Sequence, residues 1–273
     1  MRIVILLFIY FISLFAYSQQ SAQDLLNIFD SEDKKNVLTF ATFKSKKIIN
    51  LQSVEQSAKN ELDFVISHRF GPLNSGYTDL FGLDIGSVRM FLDYGITDNL
   101  SILLARSSSE KIIDLSFKSR IITQGFRSSP ITISSYTTIS FDTLEPLWAP
   151  FDLDTDTLTK IFSFQHQFMF ACKINSKLST QLSPIYCHYY QSDKTTFTGK
   201  NIHSMALGIA GRYKINKSTS INSEWVPILI RELQFINPSN KEDDIINSFS
   251  IGVDIETGGH VFQLFATNSE RMS

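Results

Sequence analysis

The sequence predicts an all-β fold, an antiparallel up-and-down transmembrane β-barrel of about 12–14 strands. Three observations predict it. The chain opens with an export signal, its segments alternate apolar and polar residues with a period of two, and loop length agrees with that alternation at each tight turn.

The first stretch, MRIVILLFIYFISLFAYSQQ, has a positive Arg2, an apolar core from Ile3 to Phe15 and a small-x-small site at Ala16-Tyr17-Ser18. That is the anatomy of a signal peptide over residues 1–18, too short for a comfortable membrane helix. No Cys follows it at once, which argues against a lipid anchor. Residues 19–36 are a polar lead-in with a short Leu25-Leu26-Ile28-Phe29 cluster, and the barrel domain is expected over 37–273, with strands dominating from Val37 onward. With 25 basic and 27 acidic residues there is no basic excess, so nucleic acid is a poor candidate partner and none is expected. The 23 Phe and 9 Tyr against 7 Pro and 12 Gly suit packed strands. After Gln19 no apolar run approaches the ~18 residues of a spanning helix, so strands must do any crossing.

The strands follow in order. Leu62, Phe64, Ile66 and Phe70 oppose Glu61, Asp63, Ser67 and Arg69. Val88, Met90, Leu92 and Tyr94 oppose Arg89 and Asp93, and Ile113, Leu115 and Phe117 oppose Asp114, Ser116, Lys118 and Arg120. Phe162, Phe164, Phe168 and Phe170 oppose Ser163, Gln165, Gln167 and Lys173. Each strand is half apolar and half hydrophilic, unlike the doubly apolar strands of a buried parallel sheet.

Turns give an independent test. Three-residue loops at Thr97–Asn99, Asn175–Lys177 and Asn216–Ser218 pair residues of like parity, and the apolar sets on either side share that parity. Gly258-Gly259 is a two-residue loop that swaps parity, setting Ile255 opposite Phe262, Val253 opposite Leu264 and Ile251 opposite Ala266. These short turns alternate with longer connections at Gly71–Asp84, Asp142–Lys160, Gln191–Asn201 and Leu229–Asn247, whereas Thr123–Ser129 falls on the short side by parity. Short turns at one end and long loops at the other are the habit of outer-membrane barrels.

"ATFKSKKIINLQSVEQ", "LDFVISHRFGPLNSGYTDLFGLD", "MFLDYGITDNLSI" and "SIGVDIETGGHVFQLFATNS" together resemble a Bacteroidetes family of uncharacterised outer-membrane β-barrel proteins, a domain-of-unknown-function family. The resemblance runs from Ala41 to about Ser269 and is weakest from Ser140 to Lys160. It implies an outer-membrane location and brings no activity or ligand. Members of that family continue into a further strand ending in an aromatic residue. With the short turns in the periplasm, the strand from His260 to Thr267 runs outward, so a return strand beyond Ser273 is expected.

The hydrophilic face collects the candidate lumen residues Asp63, Arg69, Arg89, Asp93, Asp114, Lys118, Arg120, Gln165, Gln167, Arg212, Glu224, Asp254 and Glu256. Mixed signs suit pairing across a narrow lumen better than a single-sign filter, though they also line water-filled pores. His68 and His166 read as hydrogen-bonded strand histidines, and His260 as a hairpin end. His188 and His203, on neighbouring strands near a long loop, are the pair worth testing as a surface metal site, without a third ligand at recognisable spacing. No metal or cofactor is expected. D-L-D-T-D at 152–156 lacks the glycine and distal Glu of a calcium loop and reads as an acidic surface loop beside Trp148 and Phe151. Phe70, Tyr94, Phe141, Tyr189, Tyr190 and Trp225 are girdle candidates.

Cys172 and Cys187 lie on adjacent strands, out of disulfide register, and read as small apolar fillers. Ser107, Ser108 and Ser109 have no histidine beside them, and no nucleophile elbow, phosphate loop or H-E-x-x-H appears, so no enzyme is expected. The expected role is passive: a small pore, a transport accessory or a structural surface protein. Its partners would be outer-membrane lipid and the barrel-assembly machinery, with no solute named. A soluble exported barrel with its apolar face inward around a small apolar ligand has the same period-two pattern, and stays open as an alternative.

Overall fold

A computed structural model describes residues 38–84, 86–108, 111–143, 162–193, 198–231 and 247–269. The expected signal peptide over 1–18 and lead-in over 19–36, residues 148–156 with the expected acidic loop, and the segment after Ser269 lie outside the described residues.

Twelve antiparallel strands form one up-and-down sheet. They are β1 Leu62–Phe70, β2 Gly86–Thr97, β3 Leu100–Ser107, β4 Ile112–Ile122, β5 Thr132–Asp142, β6 Phe162–Lys173, β7 Leu178–Asp193, β8 Thr198–Lys214, β9 Thr219–Val226, β10 Ile228–Arg231, β11 Ser248–Thr257 and β12 His260–Thr267. The order in the sheet is β1 to β9, then β11 and β12, with β10 off this path and paired to β8. Both β9 and β10 pair with β8, and the two share one register, Trp225 opposite Ile209 and Ile228 opposite Ala206. They are one crossing interrupted at Pro227, which has no N–H for the ladder but whose carbonyl accepts from Leu207 N–H at 3.0 Å. Between β1 and β12 there is no ladder among the described residues; Arg69 bridges the two, donating to Ser269 O at 3.0 Å with its guanidinium 5.8 Å from the Phe265 ring.

The alternation sorts cleanly. Leu62, Phe64 and Ile66 on β1 and Leu264 on β12 are exposed, at 58–68 % of their surface, while Asp93, Asp114, Lys118, Gln167 and Glu224 are at most 1 % exposed. The apolar face therefore points outward and the hydrophilic face inward, the reverse of what a soluble barrel around an apolar ligand requires. Large apolar side chains exposed along most strands suit a surface solvated by lipid tails rather than by water.

The Gly258-Gly259 hairpin has the predicted register at every pair, Ile255 with Phe262, Val253 with Leu264 and Ile251 with Ala266. Cys172 pairs with Thr180 and Cys187 with Gln165, both thiols free. Three expectations need correction. The β2–β3 turn is Asp98-Asn99 alone, closed by a Thr97–Leu100 pair, and a bulge between Gly95 and Thr97 restores the parity that a three-residue loop would have given. Gln191–Asn201 is mostly strand, since β7 runs to Asp193 and β8 starts at Thr198. Residues 38–61, expected to begin the strands, form none.

A hairpin inside the barrel

Residues 38–61 enter the space that the strands surround, turn within it and leave by the end they entered. At the short-turn end, Thr39 N–H donates to Gln124 O at 2.8 Å and Lys173 Nζ donates to Phe40 O at 3.0 Å. The way out is at the same end, where Gln56 Nε2 donates to Asp98 O at 2.9 Å and Asn60 N–H to Gly95 O at 2.8 Å. Between them the two arms pair as an antiparallel hairpin: Ser53 N–H to Lys46 O at 2.9 Å, a Lys47–Gln52 bridge, and Ile48 N–H to Leu51 O at 2.8 Å. The tip reaches the opposite end, where the Asn50 amide donates to Ser250 Oγ at 2.9 Å and accepts from Arg69 at 2.6 Å.

A buried hairpin without a sheet partner must satisfy its backbone from side chains. The wall residues do this at three stations. At the tip, the Glu224 carboxylate accepts from Ile49, Asn50 and Leu51 N–H at 3.2, 2.8 and 3.1 Å, so three successive amides close on one anion. At the stem, Lys118 Nζ donates to the carbonyls of Lys46, Ser53 and Glu55 at 3.1, 3.2 and 3.0 Å. At Gln52, the carbonyl accepts from Gln167 Nε2 at 3.1 Å and Gln181 Nε2 at 2.7 Å, and the N–H reaches Gln167 Oε1 at 3.4 Å.

Charge follows the same plan. The inbound arm brings Lys44 to Glu256 at 2.8 Å, and Lys46 to Asp93 at 3.0 Å and to Asp63. Arg89 and Asp114 form an ion pair between wall residues. The expectation of charges pairing across the lumen is thus corrected at Asp63, Asp93, Lys118, Glu224 and Glu256, which meet the hairpin instead. Arg120 donates to Val54 O at 3.3 Å, Gln165 lines a cleft beside Gln52 and Arg89, Arg212 donates to Ser220 Oγ at 3.1 Å, and Asp254 accepts from Gln263 at 2.8 Å. Every candidate lumen residue lies on the inward face.

Apolar packing adds to the polar grip. Phe43, Ile48, Leu51 and Val54 of the hairpin cluster with Phe91, Leu103, Met169 and Ala210 of the wall, and full burial of such a side chain contributes roughly 1.5–3 kcal/mol. Wall and hairpin touch closely enough to require glycine. A Cβ at Gly95 would lie 1.9 Å from Ala58 O, and one at Gly208 2.8 Å from the Leu51 side chain.

The hairpin, with Asn50 and Gln52, and its wall partners Gln181 and Gln263, the latter donating to Ile48 O, are absent from the sequence-based candidates. The available signal was negative: Phe43, Ile48, Ile49, Leu51 and Val54 follow no period of two. The histidines sit outside the lumen. His68 packs edge-on against Phe70, His166 Nδ1 is 2.7 Å from Thr137 Oγ1, and His188 lies opposite His203. Phe70, Tyr94 and Phe141 face outward near strand ends; Trp225 faces outward too, but within the β9–β10 crossing beside Pro227, and Tyr189 has inward parity, so both are corrections to the girdle; the Tyr190 side chain is outside the described set. Among the described residues no three His, Cys, Asp or Glu side chains gather as metal ligands. Ser107 is buried and the Ser108 hydroxyl accepts from Val88 N–H at 2.9 Å, while Ser109 lies outside the described residues.

Residues 43–273 match the family model described as "Membrane bound beta barrel domain (DUF5777)". No curated protein matches the chain. Among solved structures, a NanC porin is similar over 70 % of this chain and 79 % of its own, at 8 % identity and a TM-score of 0.46, a likeness too slight to carry an argument.

Proposed function

Since the chain belongs to the membrane-bound β-barrel domain family, we propose that it is an outer-membrane barrel held shut at rest by its own N-terminal hairpin. The observation that carries this reading is the triple acceptance of Ile49, Asn50 and Leu51 N–H by the buried Glu224 at the hairpin tip. A general diffusion pore keeps its polar lining for water and solute. Here the lining is spent on a segment of the same chain, so passage of a solute requires the hairpin to withdraw or deform. Withdrawal is directed to the short-turn end, where both arms emerge, and that end is the periplasmic one on the loop asymmetry.

The protein would be a gated conduit with lipid around it, put in place by the barrel-assembly machinery, with no catalytic role. The mixed charges of the wall serve to seat the hairpin: acids at Asp63, Asp93 and Glu256 meet its lysines, and Lys118 meets its carbonyls. Fractionation tests the location. A wash-resistant outer-membrane band whose gel mobility shifts on boiling supports the proposal, and recovery of the protein in a soluble fraction overturns it.

A further inference from the structure

On the outward face of the barrel wall, the face opposite the one that meets the hairpin, β7 and β8 set His188 directly opposite His203. Both have outward parity; His203 is exposed and His188 half-buried. Their rings stack at 4.7 Å between centroids with 30° between planes. The Tyr186 hydroxyl lies 2.8 Å from His203 Nδ1. His188 is ten residues up β7 from Leu178 at the short-turn end, which at ~3.4 Å per residue and a ~40° tilt is roughly 26 Å. That is about the height of a barrel's apolar band, so the pair stands at its far edge, where water and lipid headgroups begin.

We propose that His188 and His203 form a two-imidazole site for a divalent transition-metal ion, with Tyr186 as a positioning residue. Directly opposed residues on neighbouring strands have Cβ atoms ~4.5–5.5 Å apart, a span from which one nitrogen of each ring reaches an ion at ~2.0–2.1 Å once the rings turn about χ2 out of their stack. Imidazole suits Cu²⁺, Ni²⁺ and Zn²⁺ and not Ca²⁺ or Mg²⁺, with Cu²⁺ held most tightly. The tyrosine settles which nitrogen binds. When His203 Nδ1–H donates to the phenol oxygen, the Nε2 lone pair is the one left for the metal, as with the outer-shell partners of established histidine ligands. Water or a headgroup phosphate oxygen at the band edge completes the coordination. A pair of stacked aromatic rings filling an interfacial girdle is the competing explanation, and it predicts no metal.

The test is titration of the full-length, detergent-extracted protein with Cu²⁺ alone, read by electron paramagnetic resonance. The expected result is one equivalent with two nitrogen ligands, lost in both His188→Ala and His203→Ala and kept in His166→Ala and His68→Ala. Tyr186→Phe should keep both nitrogens and weaken binding several-fold. Heat-modifiable mobility of each variant separates lost metal from lost fold. Unchanged binding in His203→Ala, or no copper signal from correctly folded protein, overturns the site.

Discussion

Replacing Glu224 by Gln removes one acceptor and the charge while leaving the side chain's shape. The carboxylate takes Ile49 and Leu51 N–H on one oxygen and Asn50 N–H on the other. A glutamine keeps a single acceptor oxygen. If that oxygen serves Ile49 and Leu51, the Asn50 N–H faces an NH₂ group and has no acceptor. Hydrogen bonds to a charged group contribute ~1.5–3 kcal/mol each, and neutral ones about half as much. One bond lost and two weakened give about 3–6 kcal/mol at most, and lumen water reaching the tip reduces this to about 2–4 kcal/mol. At 1.4 kcal/mol per decade the hairpin tip then opens roughly 30- to 1,000-fold more often. Hydrogen exchange by mass spectrometry on a peptide covering the tip reads this directly, with strand peptides as the internal control. Exchange at the tip within about threefold of wild type would refute the claim that Glu224 holds the hairpin in place.

Lys118→Met should loosen the stem in the same assay, because it withdraws the donor shared by the Lys46, Ser53 and Glu55 carbonyls; unchanged exchange over 46–55 would contradict that assignment. Leu264→Arg puts a charge on a side chain 68 % exposed to lipid, at a cost of ~2–4 kcal/mol near the bilayer midplane, and should block assembly. Asp254→Asn keeps the acceptor for Gln263 and should assemble with a normal boiling shift; equal tolerance of both would reverse the assignment of faces. Cys172 and Cys187 should both alkylate in denaturant without reductant, since each faces a different residue across the β6–β7 ladder. A mass lower by two hydrogen atoms before reduction would count against that register.

The parts of the fold legible in the sequence are those where lipid and lumen impose a period of two. From Leu62 to Phe70 and from Phe249 to Thr267 the alternation fixes both facing and register, and the Gly258-Gly259 turn follows from parity alone. Gln191–Asn201 reads as a loop because strands that extend past an apolar belt have no apolar face to reveal them, yet the β7–β8 ladder continues to Asp193 opposite Thr198. At Ile96 a bulge imitates a longer loop, since both preserve parity. The hairpin was hidden for a different reason. Its backbone is satisfied by side chains far along the chain, Glu224 being 174 residues from Asn50, and such contacts leave no local pattern. The wall residues were identifiable as inward-facing, yet whether they faced water, one another or an inserted segment depends on what fills the lumen, which periodicity does not record.

Planar-bilayer conductance of the purified, heat-modifiable barrel tests the central claim most directly, measured side by side on the intact chain and on a variant lacking residues 42–57. The intact chain should be electrically silent at moderate voltage, and the deletion variant should show discrete, stable channel steps. Steady ohmic conductance from the intact chain, at the level of the deletion variant, would contradict the account: the hairpin would not be closing the barrel.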